Sequence, residues 1–174
     1  MARLSAAVTA DDHQLGPEEA TVVLVEYGDF ESPDCADAHD VLRKLLDRRT
    51  DVLFVFRHFP DPDEHPTSLA AAHAAEAAAR QHAFWDMHDM IFENQETLSE
   101  NLLFELAERL DLDMKTFEND ITHHSIAKRV QKHMQGGARS GVERTPALFI
   151  NGVLYDGPME ESAIEEALYK AENA

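Results

Sequence analysis

Asp29-Phe30-Glu31-Ser32-Pro33-Asp34-Cys35-Ala36 joins a β-branched apolar run to a stretch of helical periodicity. On its amino side, residues 21–27 (Thr-Val-Val-Leu-Val-Glu-Tyr) have the pattern of a central strand covered on both faces. On its carboxyl side, Ala38, Val41, Leu42, Leu45 and Leu46 recur at helical spacing. Pro33 suits the first turn of that helix, where a missing N–H costs nothing. Residues 52–59 supply a second strand, so the chain opens as a β-α-β unit with a right-handed crossover. The octapeptide is therefore read as a strand-to-helix junction, with Cys35, the only cysteine, in the first helical turn.

From Pro66 to about Ser140 the texture is helical throughout. An alanine-rich stretch at 69–79 reads as a buried helix face. Phe84, Met87, Ile91 and Phe92 form a second apolar stripe. Thr97 with Glu100 predicts a capping box ahead of Leu102, Leu103, Leu106 and Leu110. Asp113 predicts the cap of a short helix carrying Met114, Phe117 and Ile121, and a further helix with Ile126, Val130 and Met134 is expected to end near Gly136-Gly137. Residues 147–150 and 153–155 flank Asn151-Gly152, a two-residue hairpin signal because both residues accept the positive φ of a type I′ turn. A helix over 160–171 closes the order as β-α-β, helical block, β-β-α.

A length of 174 residues suits one domain with a proper core. The formal net charge of −19 opposes nucleic acid and anionic membrane as partners, since both demand clustered Lys and Arg. Two readings of the acidity stay open, a solvated surface and an adaptation to high salt, where screening removes self-repulsion. The first residues carry too short an apolar stretch for a signal peptide, and the expected location is cytoplasmic unless an export signal preceding this chain has been removed. One cysteine excludes an internal disulfide. The ten histidines lack metal-site spacing: His123-His124 point to different sides of a helix, and His82 with His88 are not four apart, so no metal is expected. Packing or local hydrogen bonding is the default for His58 and His88.

Five segments, taken in their order and spacing, resemble the DsbA-like thioredoxin family: residues 25–31, the turn ending at Cys35, residues 56–60 (Phe-Arg-His-Phe-Pro), residues 84–88 (Phe-Trp-Asp-Met-His) and residues 141–152. The resemblance runs from about Asp11 to the C-terminus. It implies an α/β fold, thioredoxin-like with an inserted helical domain: one DsbA-like domain over 1–174, with a core of 11–62 and 141–174 and a helical insertion at 63–140. Family members carry Cys-Pro-x-Cys, so Ser32 replaces the attacking cysteine. Dithiol exchange needs an attacking thiolate and a neighbouring thiol that resolves the mixed disulfide, and only the resolver position, Cys35, is kept.

Helix-terminal N–H groups that would stabilise a thiolate cannot ionise an alcohol without a general base. Ser32 is thus read as a helix cap or as a hydrogen-bond donor to a bound thiolate such as that of glutathione, which is the one small-molecule cofactor the turn suggests. Cys35 is either a small core residue or a reachable thiol. Glu26 interrupts an apolar strand, where a lone carboxylate is costly unless protonated or paired. The resemblance makes it the buried acid that relays a proton to the second cysteine; the alternative is an edge or solvent-facing glutamate. Thr145-Pro146 resembles the family's cis-proline, which exposes backbone for pairing with a substrate peptide; a trans proline opening a strand is the alternative.

The catalytic set expected from the resemblance is Cys35, Ser32 and Glu26, with Pro33, Asp34, Thr145 and Pro146 facing the substrate. The leading expectation is a thiol-disulfide oxidoreductase family member with a degenerate Ser-Pro-Asp-Cys site and lost or much reduced dithiol activity, retaining binding of a thiol- or disulfide-containing peptide or a small thiol. Two alternatives stay open. The turn also resembles glutathione-dependent transferases and isomerases that hold the glutathione thiolate with serine, and a non-catalytic peptide-binding module would need neither thiol.

Overall fold

The apolar run forms β2 (Val22–Gly28), buried along nearly its whole length, and the second run forms β3 (Val52–His58), buried throughout. Continuous burial, rather than alternation, is what a strand covered on both faces requires. The computed structural model describes residues 1–174. They divide into two compact units: Met1–Gly28 with Asp37–Arg57 and Gln135–Ala174, and Asp29–Ala36 with His58–Met134.

The first unit is built on a five-stranded sheet. Besides β2 and β3 it contains β1 (His13–Leu15), β4 (Ala147–Ile150) and β5 (Val153–Leu154), in the order β1-β3-β2-β4-β5. The expected hairpin therefore lies in the same sheet as the opening β-α-β strands. Asn151 and Gly152 both have positive φ, 45° and 82°, as a type I′ turn demands. Strand β1 has no sequence signal, because three residues are too few to show a period; it exists through antiparallel pairing of 13–15 with 54–56. The free edge of β5 is covered by the N-terminal segment, where Leu4 N–H donates to Gly152 O (2.8 Å) and Leu154 N–H donates to Ala2 O (3.0 Å). Arg57, buried, grips Asp12 with Nε and Nη2 (2.9 and 3.0 Å) and donates to Ala6 O, Ala7 O and the Tyr27 hydroxyl. A buried guanidinium is tolerated only with such a full set of acceptors. Helices α1 (Pro33–Arg48) and α7 (Glu161–Glu172) turn inward Ala38, Leu42 and Leu45, and Ile164 and Leu168, respectively.

The second unit carries α2 (Ser68–Ala79), α3 (Phe84–Glu93), a 3₁₀ turn (Gln95–Thr97), α4 (Glu100–Arg109) and α5 (Met114–Ile121), together with most of α6 (His124–Arg139). Most alanines of α2, from Ala71 to Ala78, are buried, as a close-packed helix requires. Asp113 caps α5, its Oδ1 accepting Thr116 N–H at 2.8 Å. Two boundaries differ from expectation. Helix α4 is capped by Ser99, whose Oγ accepts Leu102 N–H (3.1 Å), because Thr97 is engaged in the preceding 3₁₀ turn. Helix α6 runs through Gly136-Gly137 and stops only where Gly141 takes φ +85°. There Val142 N–H reaches Gly137 O and Gly141 N–H reaches Ala138 O, the paired bonds of a Schellman ending.

Candidate functional site

Ser32 immediately precedes α1, and its Oγ accepts Cys35 N–H at 3.3 Å, the side-chain cap of an orphan helix donor. Its carbonyl accepts Cys35 and Ala36 N–H, both at 3.1 Å. Pro33 occupies the first helical position, and Pro33 and Asp34 are both exposed. Ser32 is only 5% exposed and Cys35 is fully buried. The Cys35 sulfur accepts Asp29 N–H at 3.4 Å, a donor placed on the one thiol of the chain. Because the thiol is covered, its modification has to wait for an opening of the turn. We predict that a disulfide reagent labels Cys35 in the native protein on the order of a hundredfold more slowly than in denaturant. Equal rates would show that the sulfur is reachable in the folded state.

The turn is held by side chains that the sequence reading missed. Gln95 Nε2, from the 3₁₀ turn, donates to Phe30 O (2.8 Å) and Ser32 O (2.7 Å). Asp29, buried, accepts Glu31 N–H (2.9 Å) and Asp61 N–H (3.0 Å) and lies 3.0 Å from His65 Nδ1. Glu31 Oε2 accepts Thr67 N–H at 2.6 Å. Phe30 packs among aromatic rings, 5.0 Å from Phe92 and 5.6 Å from His88 between centroids. Asp29 and Glu31 do stand in the quoted octapeptide, but nothing local marks His65 or Gln95 as their partners. His58 Nε2 lies 2.7 Å from Glu76 Oε1, and His88 Nδ1 lies 2.9 Å from Asp89 Oδ1.

Glu26, Thr145 and Pro146 belong to the sheet unit. Glu26 stands opposite Leu148 in the antiparallel pairing of β2 with β4 and is 1% exposed, so the edge-lying alternative does not apply. Its Oε1 has no hydrogen-bond partner, and burial pushes its pKa up from 4.5 to about 8. The carboxyl is therefore neutral at pH 7, because desolvation penalises the charged form and no cation offsets it. Gly28 is required beside it: an added Cβ would come within 2.4 Å of the Phe56 ring and 3.2 Å of Glu26 Oε1. The Thr145-Pro146 peptide is cis and leads directly into Ala147, the partner of Tyr27 at the carboxyl end of β2.

A family model described as thioredoxin matches residues 8–170. The fold is similar to a thioredoxin-like oxidoreductase from Silicibacter pomeroyi DSS-3, with a TM-score of 0.84 and 25% identity, covering 95% of each chain. It is also similar to oxidised BdbD from Bacillus subtilis (TM-score 0.83, 24% identity, 94% of each chain) and to alpha-DsbA1 from Wolbachia pipientis (TM-score 0.85, 21% identity, 95% of this chain and 93% of that one). Among curated proteins, the Na(+)/H(+) antiporter NhaA 3 of Salinispora tropica is 42% identical over 160 residues, which make up 92% of this chain and 24% of the antiporter. The antiporter NhaA of Herminiimonas arsenicoxydans is 36% identical over 90% of this chain and 25% of its own length. The chain thus spans about a quarter of the curated relatives it matches, and no helix in it is long and apolar enough to cross a membrane.

Proposed function

Since the chain belongs to the thioredoxin family, in its DsbA-like group of thiol-disulfide oxidoreductases, we propose that it retains a ligand-binding turn and has lost the dithiol cycle. One observation carries this reading. The position that an attacking thiolate must occupy holds a serine whose Oγ is committed to capping α1, while the only thiol is buried three residues on. A hydroxyl needs a general base to become a nucleophile, and Ser32 Oγ instead faces a backbone N–H. Exposed Pro33 and Asp34 are then the residues of the turn that meet a ligand; independently, the backbone at Thr145-Pro146 in the sheet unit is a strand-pairing edge for a peptide. The ligand class is a thiol- or disulfide-containing peptide or a small thiol such as glutathione.

The test is titration of the protein with glutathione and with a reduced, unfolded peptide by calorimetry, alongside a disulfide-reductase assay. Saturable binding of one probe without turnover is expected. Binding of glutathione that is lost in Ser32→Ala would favour the transferase-like alternative, and binding of neither probe would overturn the reading.

A second reading rests on the 42% identity to a segment of an antiporter. In that relative the matching segment is part of a chain named as a sodium/proton antiporter, so a chain of this sequence is expected to copurify with a detergent-solubilised antiporter of its own organism. Failure to copurify, together with exchange rates unchanged by added protein, would remove it.

A further inference from the structure

The Asp29 carboxylate gathers contacts that the binding reading does not use. Its side chain is fully buried, while that of His65, bonded to it, is 24% exposed and so can exchange protons with water. The segment 61–67 is fastened to the turn at three points: Asp61 N–H and His65 Nδ1 on Asp29 Oδ2, and Thr67 N–H on Glu31 Oε2. It is also braced internally, since His65 N–H donates to Asp61 O at 2.8 Å and Asp61 Oδ1 accepts Asp63 and Glu64 N–H at 3.2 and 3.3 Å. On its other side Asp29 closes the turn itself. Its carbonyl accepts Ser32 N–H at 3.1 Å, and its N–H donates to the Cys35 sulfur.

The charged groups that face His65 are Asp29 and Glu31 from the turn and Asp61 from its own segment. All three are acidic. Burial works against the imidazolium, but the Asp29 hydrogen bond and these three charges outweigh it and raise the pKa of His65 above 6.5.

We propose that His65 is a positioning residue of the 29–36 turn: protonated, it fastens residues 61–67 to Asp29 by a charge-assisted hydrogen bond, and on losing the proton it loosens the turn that carries Pro33 and Asp34. This names the regulation of the turn on which the binding reading rests. The fastening is a property of the ligand-free protein, so the two can fail separately. The contribution of the pair is complete below the unfolded pKa of about 6.5 and is lost as pH rises through the higher folded value.

The measurement is hydrogen exchange at the amides of Glu31 and Asp61, the two N–H groups held by Asp29, with each rate divided by that of an unfolded peptide at the same pH. The midpoint of His65 is followed by NMR of its ring. Protection should drop about fivefold across that midpoint, as an imidazolium–carboxylate pair becomes a neutral imidazole donating to the carboxylate. His65→Gln keeps a neutral donor and should show lower protection with no pH step. In Asp29→Asn, which removes the hydrogen bond and the nearest of the three charges, the His65 midpoint should fall below that of the unmodified protein. Protection that stays constant through the titration, or the same step in His65→Gln, would overturn the proposal. If the step appears while neither glutathione nor the unfolded peptide binds, the fastening stands and the ligand reading falls.

Discussion

Ser32→Cys is expected to form an internal disulfide with Cys35 on oxidation and to show disulfide-reductase turnover well above that of the unmodified chain. The two positions are the cap and the third residue of α1, where one turn of helix brings α-carbons to within about 4.4 to 6.8 Å, the range that a disulfide spans. A thiol at the cap meets the Cys35 N–H that Ser32 Oγ now accepts, and the helix N-terminus favours a thiolate there. The thiolate at the cap would attack one sulfur of the substrate disulfide, breaking its S–S bond, forming the mixed disulfide and expelling the other substrate sulfur as a thiolate. The Cys35 thiol would then resolve it, releasing the substrate as a thiol and leaving an internal disulfide for an external thiol to reduce. Loss of the cap oxygen costs about 1 kcal/mol of stability, too little to unfold the domain. The measurements are the mass of the oxidised variant, lower by two hydrogens, and reduction of a protein disulfide by both forms with a thiol reductant. Turnover by the unmodified chain comparable to that of the variant would refute the loss of the dithiol cycle. A variant that stays fully reduced under oxidant would show that the covered Cys35 is out of reach.

Glu26→Gln is expected to flatten the dependence of stability on pH. The wild-type carboxyl has a folded pKa near 8 against 4.5 unfolded, so between those values the folded state holds a proton that the unfolded state has lost. Folding takes up that proton, and stability falls as pH rises from 4.5 to about 8. At pH 7 the penalty reaches about 3 kcal/mol, and a side chain that cannot ionise does not incur it. Urea unfolding of both proteins at pH 4.5 and pH 7 isolates this effect, because packing differences between Glu and Gln cancel when each protein is compared with itself. Parallel pH profiles for the two would show that Glu26 finds a partner or water in solution.

Both predictions act on single positions of contrasting legibility. Ser32 was readable as a cap candidate because capping is local: an oxygen three residues before an orphan N–H, with Pro33 between them. The Asn151-Gly152 turn and the Asp113 cap were readable for the same reason, each being decided by the φ preference or side-chain reach of one or two residues. Ahead of α4 the capping box read at Thr97 gives way to Ser99, because the 3₁₀ turn engages Thr97 and its Gln95 also holds the Phe30 and Ser32 carbonyls.

Amino-acid order alone determined the central strand, the helix opening at Pro33, the hairpin and a serine cap three residues before the one cysteine, since each is written in residue type and spacing within a few positions. Tertiary structure alone decided that Glu26 is buried without a partner for Oε1, that Cys35 is covered, and that Asp29 meets His65, which lies 36 residues further on. A continuous apolar run reports that both faces are covered but not what covers them. The protonation of a carboxyl depends on whether a cation or a donor is among the covering groups.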